Sequence, residues 1–311
     1  MEILPFQANF FSQLRDLTII GAIGRKLVKL SSDKKSPLTL KRFKDPIKSV
    51  HADNNDVIYV ATDRDHWNPN TPSNLYRSFD RGETFTLVKT IYGGSVLWWS
   101  ITSNMEGRVY ASEYGPKEPG MSKRIWASND HGATWEVVFQ ADNNSNLHIH
   151  RIAVDPYTGH LWATTGDSGN RGIYRTKDEG KTWQKMLDSQ ATSVGFTKSG
   201  IYWGEDTKNK PGVTRMDRTT GKTEFVLDLS KLGNYGGSAY DITIDSNQNV
   251  IVSFMKYPDQ NHVASIWTGK EGNWKPLVLV NSEKGKPSGK ESLSAPDADG
   301  WIYGSGIRFR N

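Results

Sequence analysis

The sequence predicts an all-β fold in which four-stranded sheets repeat around a ring, and three observations carry that expectation. A hairpin unit of pattern Ser/Thr-x-Asp-x-Gly-x-Thr-Trp/Phe occurs at residues 78–85, 128–135 and 176–183. A short apolar and aromatic strand unit, opened by Gly or Asn, recurs at intervals of roughly 40–50 residues, the period of a four-stranded repeat. The composition suits many short strands and tight turns: 29 Gly, 11 Trp, 12 Tyr and 11 Phe among 311 residues, with almost no helical periodicity.

From the N-terminus, Ile3, Phe6, Phe10, Phe11 and Leu14 have the spacing of one amphipathic helical turn. Residues 1–16 therefore read as an N-terminal extension packed over an apolar edge. Residues 17–24 are an additional strand candidate. Six strand units follow, opening at Asn55, Gly107, Gly159, Gly200, Asn249 and Gly300. Strong hairpins span 75–85, 125–135 and 173–183; weaker copies lie at 213–225, at 266–274 and, early in the chain, near 30–38. In a hairpin of this kind the Asp carboxylate caps loop N–H groups, Gly supplies a positive φ, and the aromatic residue begins the return strand.

With strands labelled A to D from the axis outward, segments such as 152–155 are A, the Gly/Asn-opened units are B, and the hairpins join C to D. The early hairpin (Ser31, Asp33) has no B unit before it, and the last B unit, at 301–304, has no hairpin after it. A ring closed by N- and C-terminal strands in one shared sheet accounts for both, and closure removes free sheet edges. The expectation is a six-bladed β-propeller of four-stranded blades over residues 1–311, a single domain, with seven blades as the alternative if 17–24 is a strand.

The three strong hairpins resemble Asp-box (BNR) repeats of sialidase-like β-propellers. The resemblance implies a glycan-related activity and places Asp80, Asp130 and Asp178 on outer C–D turns, in structural roles. Residues 42–46 (Arg-Phe-Lys-Asp-Pro) depart from the Arg-Ile-Pro motif of true sialidases, and no arginine triad is assignable.

Composition excludes other classes. There is no cysteine, hence no disulfide scaffold, thiolate metal site or Cys nucleophile. Lys+Arg 39 against Asp+Glu 34 leaves +5, scattered along the chain. Nucleic acid is not an expected partner. No apolar run approaches the roughly 20 residues that cross a bilayer, so a membrane is not expected either. The expected partner is a glycan or oligosaccharide, bound by a monomer.

Strand direction puts the B–C and D–A loops on one face and the A–B and C–D turns on the other. The B–C loops are long and decorated, and long loops on a rigid scaffold are where function usually resides. Successive B strands end in Asp63, Glu113, Asp167 and Glu205-Asp206, which are expected to ring the channel mouth. His148 and His150 start an A strand on the same face, both on one side of it. The candidate catalytic residues are His148, His150, Glu113, Asp167, Glu205 and Tyr114. Candidate substrate contacts are Asp63, Arg64, Trp67, Arg151, Asp206 and Tyr257. Further aromatics, Trp98 and Trp99 among them, suit stacking on sugar rings; alternation along a strand would point those two to opposite sides.

Two chemistries fit. A carboxyl pair among Glu113, Asp167 and Glu205 would serve a glycoside hydrolase. His148, His150 and Tyr114, with Arg151 or Arg64 neutralising an enolate, would serve a polysaccharide lyase. No cofactor is required by either, although a divalent metal near His148 and His150 is a variant. The alternative class is a non-catalytic propeller that binds glycan or protein.

Overall fold

A computed structural model describes residues 1–30, 36–65, 68, 70–92, 94–114, 123–140, 148–166, 171–207, 209–233, 235, 237–255, 263–280, 292–305 and 307–309. The chain opens with β1 (Glu2–Ile3). Blade one is β2 (Asn9–Gln13), β3 (Ile19–Ile23), β4 (Lys26–Lys29) and β5 (Leu38–Arg42). Blade two is β6 (Ile47–Ala52), β7 (Ile58–Asp63), β8 (Ser73–Ser78) and β9 (Thr86–Ile91). Blade three is β10 (Ile101–Ser103), β11 (Val109–Ser112), β12 (Arg124–Ser128) and β13 (Glu136–Gln140). Blade four is β14 (His148–Val154), β15 (Leu161–Gly166), β16 (Gly172–Thr176) and β17 (Gln184–Leu187). Blade five is β18 (Ala191–Phe196), β19 (Gly200–Glu205), β20 (Gly212–Asp217) and β21 (Thr223–Asp228). Blade six is β22 (Ala239–Ile244), β23 (Val250–Phe254), β24 (Ala264–Lys270) and β25 (Asn273–Val280). The last strands are β26 (Ile302–Gly304) and β27 (Ile307–Phe309).

Within blades one to six the strands pair in chain order, each antiparallel to the next. First strands of neighbouring blades touch, β2 against β6, β10 against β14, β14 against β18 and β18 against β22, so the A strands line the axis. The seventh blade closes the ring. Its sheet runs β26-β27-β1, with Glu2 opposite Arg308 and Ile3 opposite Ile307. Its innermost lane is the segment 292–297, which pairs with β26 through Ser294 N–H to Tyr303 O (3.0 Å) and Asp297 N–H to Trp301 O (2.9 Å). The Arg308 guanidinium donates to Glu2 Oε2 at 2.6 Å across the seam.

The fold is therefore a seven-bladed propeller. Residues 17–24 contain the B strand of blade one, β3, whose Ile-Ile-Gly-Ala-Ile lacks the aromatic signature of the other B units. Residues 1–16 form no helical turn and no extension. They supply β1 to the last blade and β2 to the first. Their apolar residues serve two sheets: Leu4 and Ala8 pack with Tyr303, whereas Leu14 packs with Ile20 and Phe43.

Seven hydrophobic clusters are found among the described residues, one at each seam between consecutive blades. Tyr59 and Leu75 of blade two, for instance, pack on Ile101 and Val109 of blade three. A propeller thus has no common core, and each sheet is buried on both faces by its neighbours. The hairpin aspartates are structural. Asp80 accepts from Thr84 N–H (2.9 Å) and Ser78 Oγ (2.7 Å), Asp130 from Thr134 N–H (2.8 Å) and Ser128 Oγ (2.7 Å), and Asp178 from Thr182 N–H (2.9 Å) and Thr176 Oγ1 (2.8 Å). Gly82, Gly132 and Gly180 have φ of +102°, +87° and +100°, left-handed geometry that a side chain would strain. Among the described residues no helix is long and apolar enough to cross a membrane.

Candidate functional site

The B-strand acids among the described residues, Asp63, Glu113, Glu205 and Asp206, do not all face the same way. They split into two pairs by register. The backbone N–H of Asp63 bonds Pro46 O (3.0 Å), and that of Asp206 bonds Gln190 O (2.9 Å), so both occupy the same position beside the lead-in to their own A strand. Each side chain then reaches the next blade: Asp63 Oδ2 accepts from Ser95 Oγ (2.7 Å), and Asp206 Oδ1 accepts from Ser238 Oγ (2.5 Å). Burial pushes the Asp63 carboxyl pKa up. Asp206 also accepts from Gln190 Nε2 at 2.8 Å.

Glu113 and Glu205 turn outward, to strands of their own blades. Glu113 is buried and accepts from Trp126 Nε1 (2.7 Å), Arg124 Nε (3.0 Å) and Arg124 N–H (3.2 Å). Burial pushes its pKa up, and the Arg124 contact opposes that shift. Glu205 accepts from Thr214 Oγ1 (2.5 Å), Ser189 Oγ (2.8 Å) and Trp203 Nε1 (3.2 Å). The expected ring of acids fails because B is the second lane out: the A strand stands between it and the axis, and a one-residue offset in register chooses which side each acid faces. Asp167, Trp67 and Tyr257 lie outside the described residues.

Four of the expected residues do meet. Tyr114 is held by a two-way backbone pairing with Ser95 (2.8 and 3.0 Å). Its ring centroid lies 4.5 Å from that of His148 and 6.3 Å from that of His150. The His150 ring is buried against Gly166, where an added Cβ would come within 2.1 Å of Cε1. Its Nδ1 lies 2.9 Å from Ala191 O and 3.9 Å from Asp206 Oδ2. Tyr114 and His148 are half-buried, which leaves a phenol and an imidazole beside each other on the B–C/D–A face. Among the described residues no three His, Asp or Glu side chains converge as a metal ligand set.

The axis itself holds a different group. A cavity of about 180 Å³ is lined by Ser12, His51, Thr102, Arg151, Asp241 and Ser292, with Phe10, Trp98 and Trp99 alongside. Arg151, expected at the rim, points inward, and its Nη1 donates to Asp241 Oδ1 at 2.5 Å. Asp241 accepts further from the N–H groups of Ile242 (2.8 Å) and Leu293 (2.9 Å). His51 Nε2 lies 2.8 Å from Ser103 Oγ, and burial lowers its pKa to about 4. Arg64 remains outside, largely exposed, 3.5 Å from Asp45.

Four aromatic rings cross the channel. Phe10 stacks on Trp98 (5.6 Å, 12°) and Trp98 on Tyr240 (5.4 Å, 28°), while Trp99 meets Trp98 edge-on at 4.3 Å. Trp98 and Trp99 do not point to opposite sides, because 97–100 is a turn closed by Ser100 N–H to Leu97 O (3.0 Å), not a strand. Sequence reasoning missed Phe10, His51, Tyr240 and Asp241. A signal for the last was present: four residues before the A–B turn residue, blades two, three and five carry Ser49, Ser100 and Ser193, whereas blades four and six carry Arg151 and Asp241.

Residues 73–256, more than half of the chain, match the family model Sortilin-Vps10, described as sortilin, neurotensin receptor 3. The chain belongs to the Sortilin-Vps10 family. No curated protein matches the sequence. This Sortilin-Vps10 chain is similar in structure to the Niastella koreensis GH74 enzyme, with a TM-score of 0.64 at 13% identity over 89% of this chain and 46% of that one. It thus spans about half the length of that enzyme. An oligogalacturonate lyase in complex with manganese has a TM-score of 0.64 at 9% identity, covering 95% of this chain and 85% of that one. A chain of a nidogen/laminin complex has 0.58 at 15% identity, covering 87% and 95% respectively. At these identities the likeness is one of fold. The family match is to Sortilin-Vps10, and the Asp-box resemblance rests on the three hairpins alone.

Proposed function

We propose that this protein is a carbohydrate-active propeller that takes a glycan on its B–C/D–A face, with Tyr114 and His148 as the proton-transfer pair. The observation that carries the proposal is the 4.5 Å approach of those two half-buried rings, beside acids already occupied by scaffold hydrogen bonds. Hydrolysis asks for one protonated and one ionised carboxyl flanking the scissile bond. Glu113 is sealed against Arg124 and Trp126, and Glu205 is held by three donors. β-Elimination asks for less. His148 removes the C–H proton beside a uronate carboxylate, its electron pair becomes the new C=C bond, the C–O bond to the leaving sugar breaks, and the Tyr114 hydroxyl protonates that oxygen. Arg64, largely exposed at the end of its own B strand and 3.5 Å from Asp45, is the cation we assign to the developing enolate.

The solved lyase and GH74 enzyme support a propeller as a scaffold for such work. Manganese accompanies that lyase; here His148, His150 and Asp206 would be the donors for such an ion, His150 through Nε2 when its Nδ1–H donates to the Ala191 carbonyl. A non-catalytic glycan- or protein-binding propeller is the second reading. It is favoured by the structural employment of Asp63, Glu113, Glu205 and Asp206, and by the receptor description of the family.

The test is a panel of neutral and uronate-containing polysaccharides, followed for reducing ends and for absorbance of unsaturated uronate. Elimination yields both signals, and Tyr114→Phe and His148→Ala each lower them by about 10²-fold or more. Reducing ends without absorbance would favour hydrolysis. Binding without either signal would move the assignment to a non-catalytic module.

A further inference from the structure

We infer that the axial cavity is a subsite for a single uncharged sugar ring; the inference rests on the glycan reading above and names what the channel itself accepts. Charge is the first reason. Arg151 and Asp241 are a close pair inside the cavity, so a carboxylate entering it would meet no unbalanced cation. The third ionisable wall residue, His51, stays neutral near pH 7 because burial lowers its pKa. A hydroxyl-rich ring, by contrast, carries no net charge and can use the guanidinium N–H groups and carboxylate lone pairs that the ion pair and the two backbone N–H groups leave over.

Shape is the second. The polar residues Ser12 and Thr102 share the cavity lining with Phe10, Trp98 and Trp99. Phe10 and Tyr240 cover the two faces of Trp98, so the apolar surface offered to a ligand is that of Phe10 and the indole edges. A pyranose has a C–H face for an aromatic surface and a hydroxyl edge for polar groups. At about 180 Å³ the cavity holds more than a few waters and falls short of the roughly 300 Å³ at which pockets for larger ligands begin. One ring fits and an oligosaccharide does not.

Backbone strain is the third. Phe10 has φ +56°, a left-handed conformation that bulky aromatics avoid, and its N–H is pinned by Ser292 Oγ at 3.0 Å. Such strain persists where the surroundings over-determine it, and ligand clamps are a common setting. Here it holds the Phe10 ring flat on Trp98.

The experiment is a titration of the full chain with D-glucose, D-galactose, D-xylose, D-glucuronate and D-galacturonate. The readout is the indole N–H resonances of Trp98 and Trp99, assigned from Trp98→Phe and Trp99→Phe. At least one neutral sugar is expected to shift both resonances saturably, with its uronate counterpart binding tenfold or more weakly. Asp241→Asn leaves Arg151 uncompensated and is expected to reverse that preference. If that variant does not fold, Arg151→Gln, which leaves Asp241 uncompensated, is expected to weaken uronate binding further. Indole signals unmoved by every neutral sugar, or uronates binding as tightly as neutral sugars to the wild type, would overturn the inference. Polysaccharide turnover with silent indoles would sink the cavity subsite alone. Saturable sugar binding without any turnover would sink the enzyme reading and leave the subsite standing.

Discussion

Arg151 and Asp241 meet inside the propeller channel, Nη1 to Oδ1 at 2.5 Å, although they lie 90 positions apart and belong to the fourth and sixth blades. Between them in the ring stands blade five, whose corresponding residue is the buried Ser193. Ser193 does not line the cavity in which the pair meets.

The first prediction concerns that pair. Asp241→Ala removes the partner of Arg151 and strips an acceptor from the N–H groups of Ile242 and Leu293. The expected loss is about 3 kcal/mol, as for a buried ion pair broken from one side. Arg151→Met, which keeps the apolar stem and leaves Asp241 two backbone donors, is expected to cost less. Urea unfolding of both variants reads the difference, and equal losses would contradict the asymmetry.

Gly166 is a second point of leverage. A methyl group there would come within 2.1 Å of His150 Cε1, so Gly166→Ala must displace the imidazole that packs near Tyr114 and His148. Overpacking of this kind costs about 1–3 kcal/mol. His150→Ala in the same chain vacates the space, so the double variant should be more stable than the two single losses add up to. A double-mutant cycle by thermal unfolding measures that coupling, and simple additivity would argue that the ring moves away freely.

Acid should loosen the hairpins. The Asp178 carboxyl is lowered from 3.8 to about 2, chiefly by the Thr182 hydroxyl and its backbone N–H, and Asp80 and Asp130 are held lower still by Thr84 and Thr134. A carboxyl with a depressed folded-state pKa binds fewer protons in the native protein than in the unfolded chain. Its stabilisation is therefore full above the unfolded value and is lost as pH falls through the folded one. Melting temperature should drop between pH 4 and pH 2, and the triple variant Asp80→Asn/Asp130→Asn/Asp178→Asn should show a shallower drop.

Ring closure supplies the fourth prediction. β1 is the outermost strand of the last blade, and Leu4, just after it, is buried with Tyr303. Leu4→Ala should cost about 2–5 kcal/mol, the usual range for a buried leucine. Ile3→Ala, at a position 82% exposed, should cost almost nothing. Chemical denaturation of the two variants distinguishes a closed ring from a loosely appended tail, for which both would be silent.

Much of the architecture was legible in the sequence because local chemistry dictates it. The Asp and Gly of each hairpin act within a few residues, through N–H capping and left-handed φ, and the strand units follow from the alternation of a pleated sheet. Blade one stood only as the seven-blade alternative because β3, inside the 17–24 strand candidate, carries no aromatic marker. Residues 1–16 were misjudged because apolar spacing records burial without saying which partner covers each residue. Tyr114, His148 and His150 were found together because strand direction alone brings a B-strand end beside the next A-strand start.

By itself, then, the sequence determined the repeating B and C strands of blades two to six, their turns, the antiparallel order within a blade and the face on which Tyr114 and His148 emerge. Tertiary structure alone decided that there are seven blades, that Glu113 and Glu205 face into their own sheets, and that Arg151, Asp241, Trp98 and Phe10 share a cavity. The physical reason is range. Turn and strand preferences are fixed by contacts a few residues apart, whereas side-chain direction at a sheet end changes with a single-residue shift of register, and the channel exists only once β1 has closed the ring against β27.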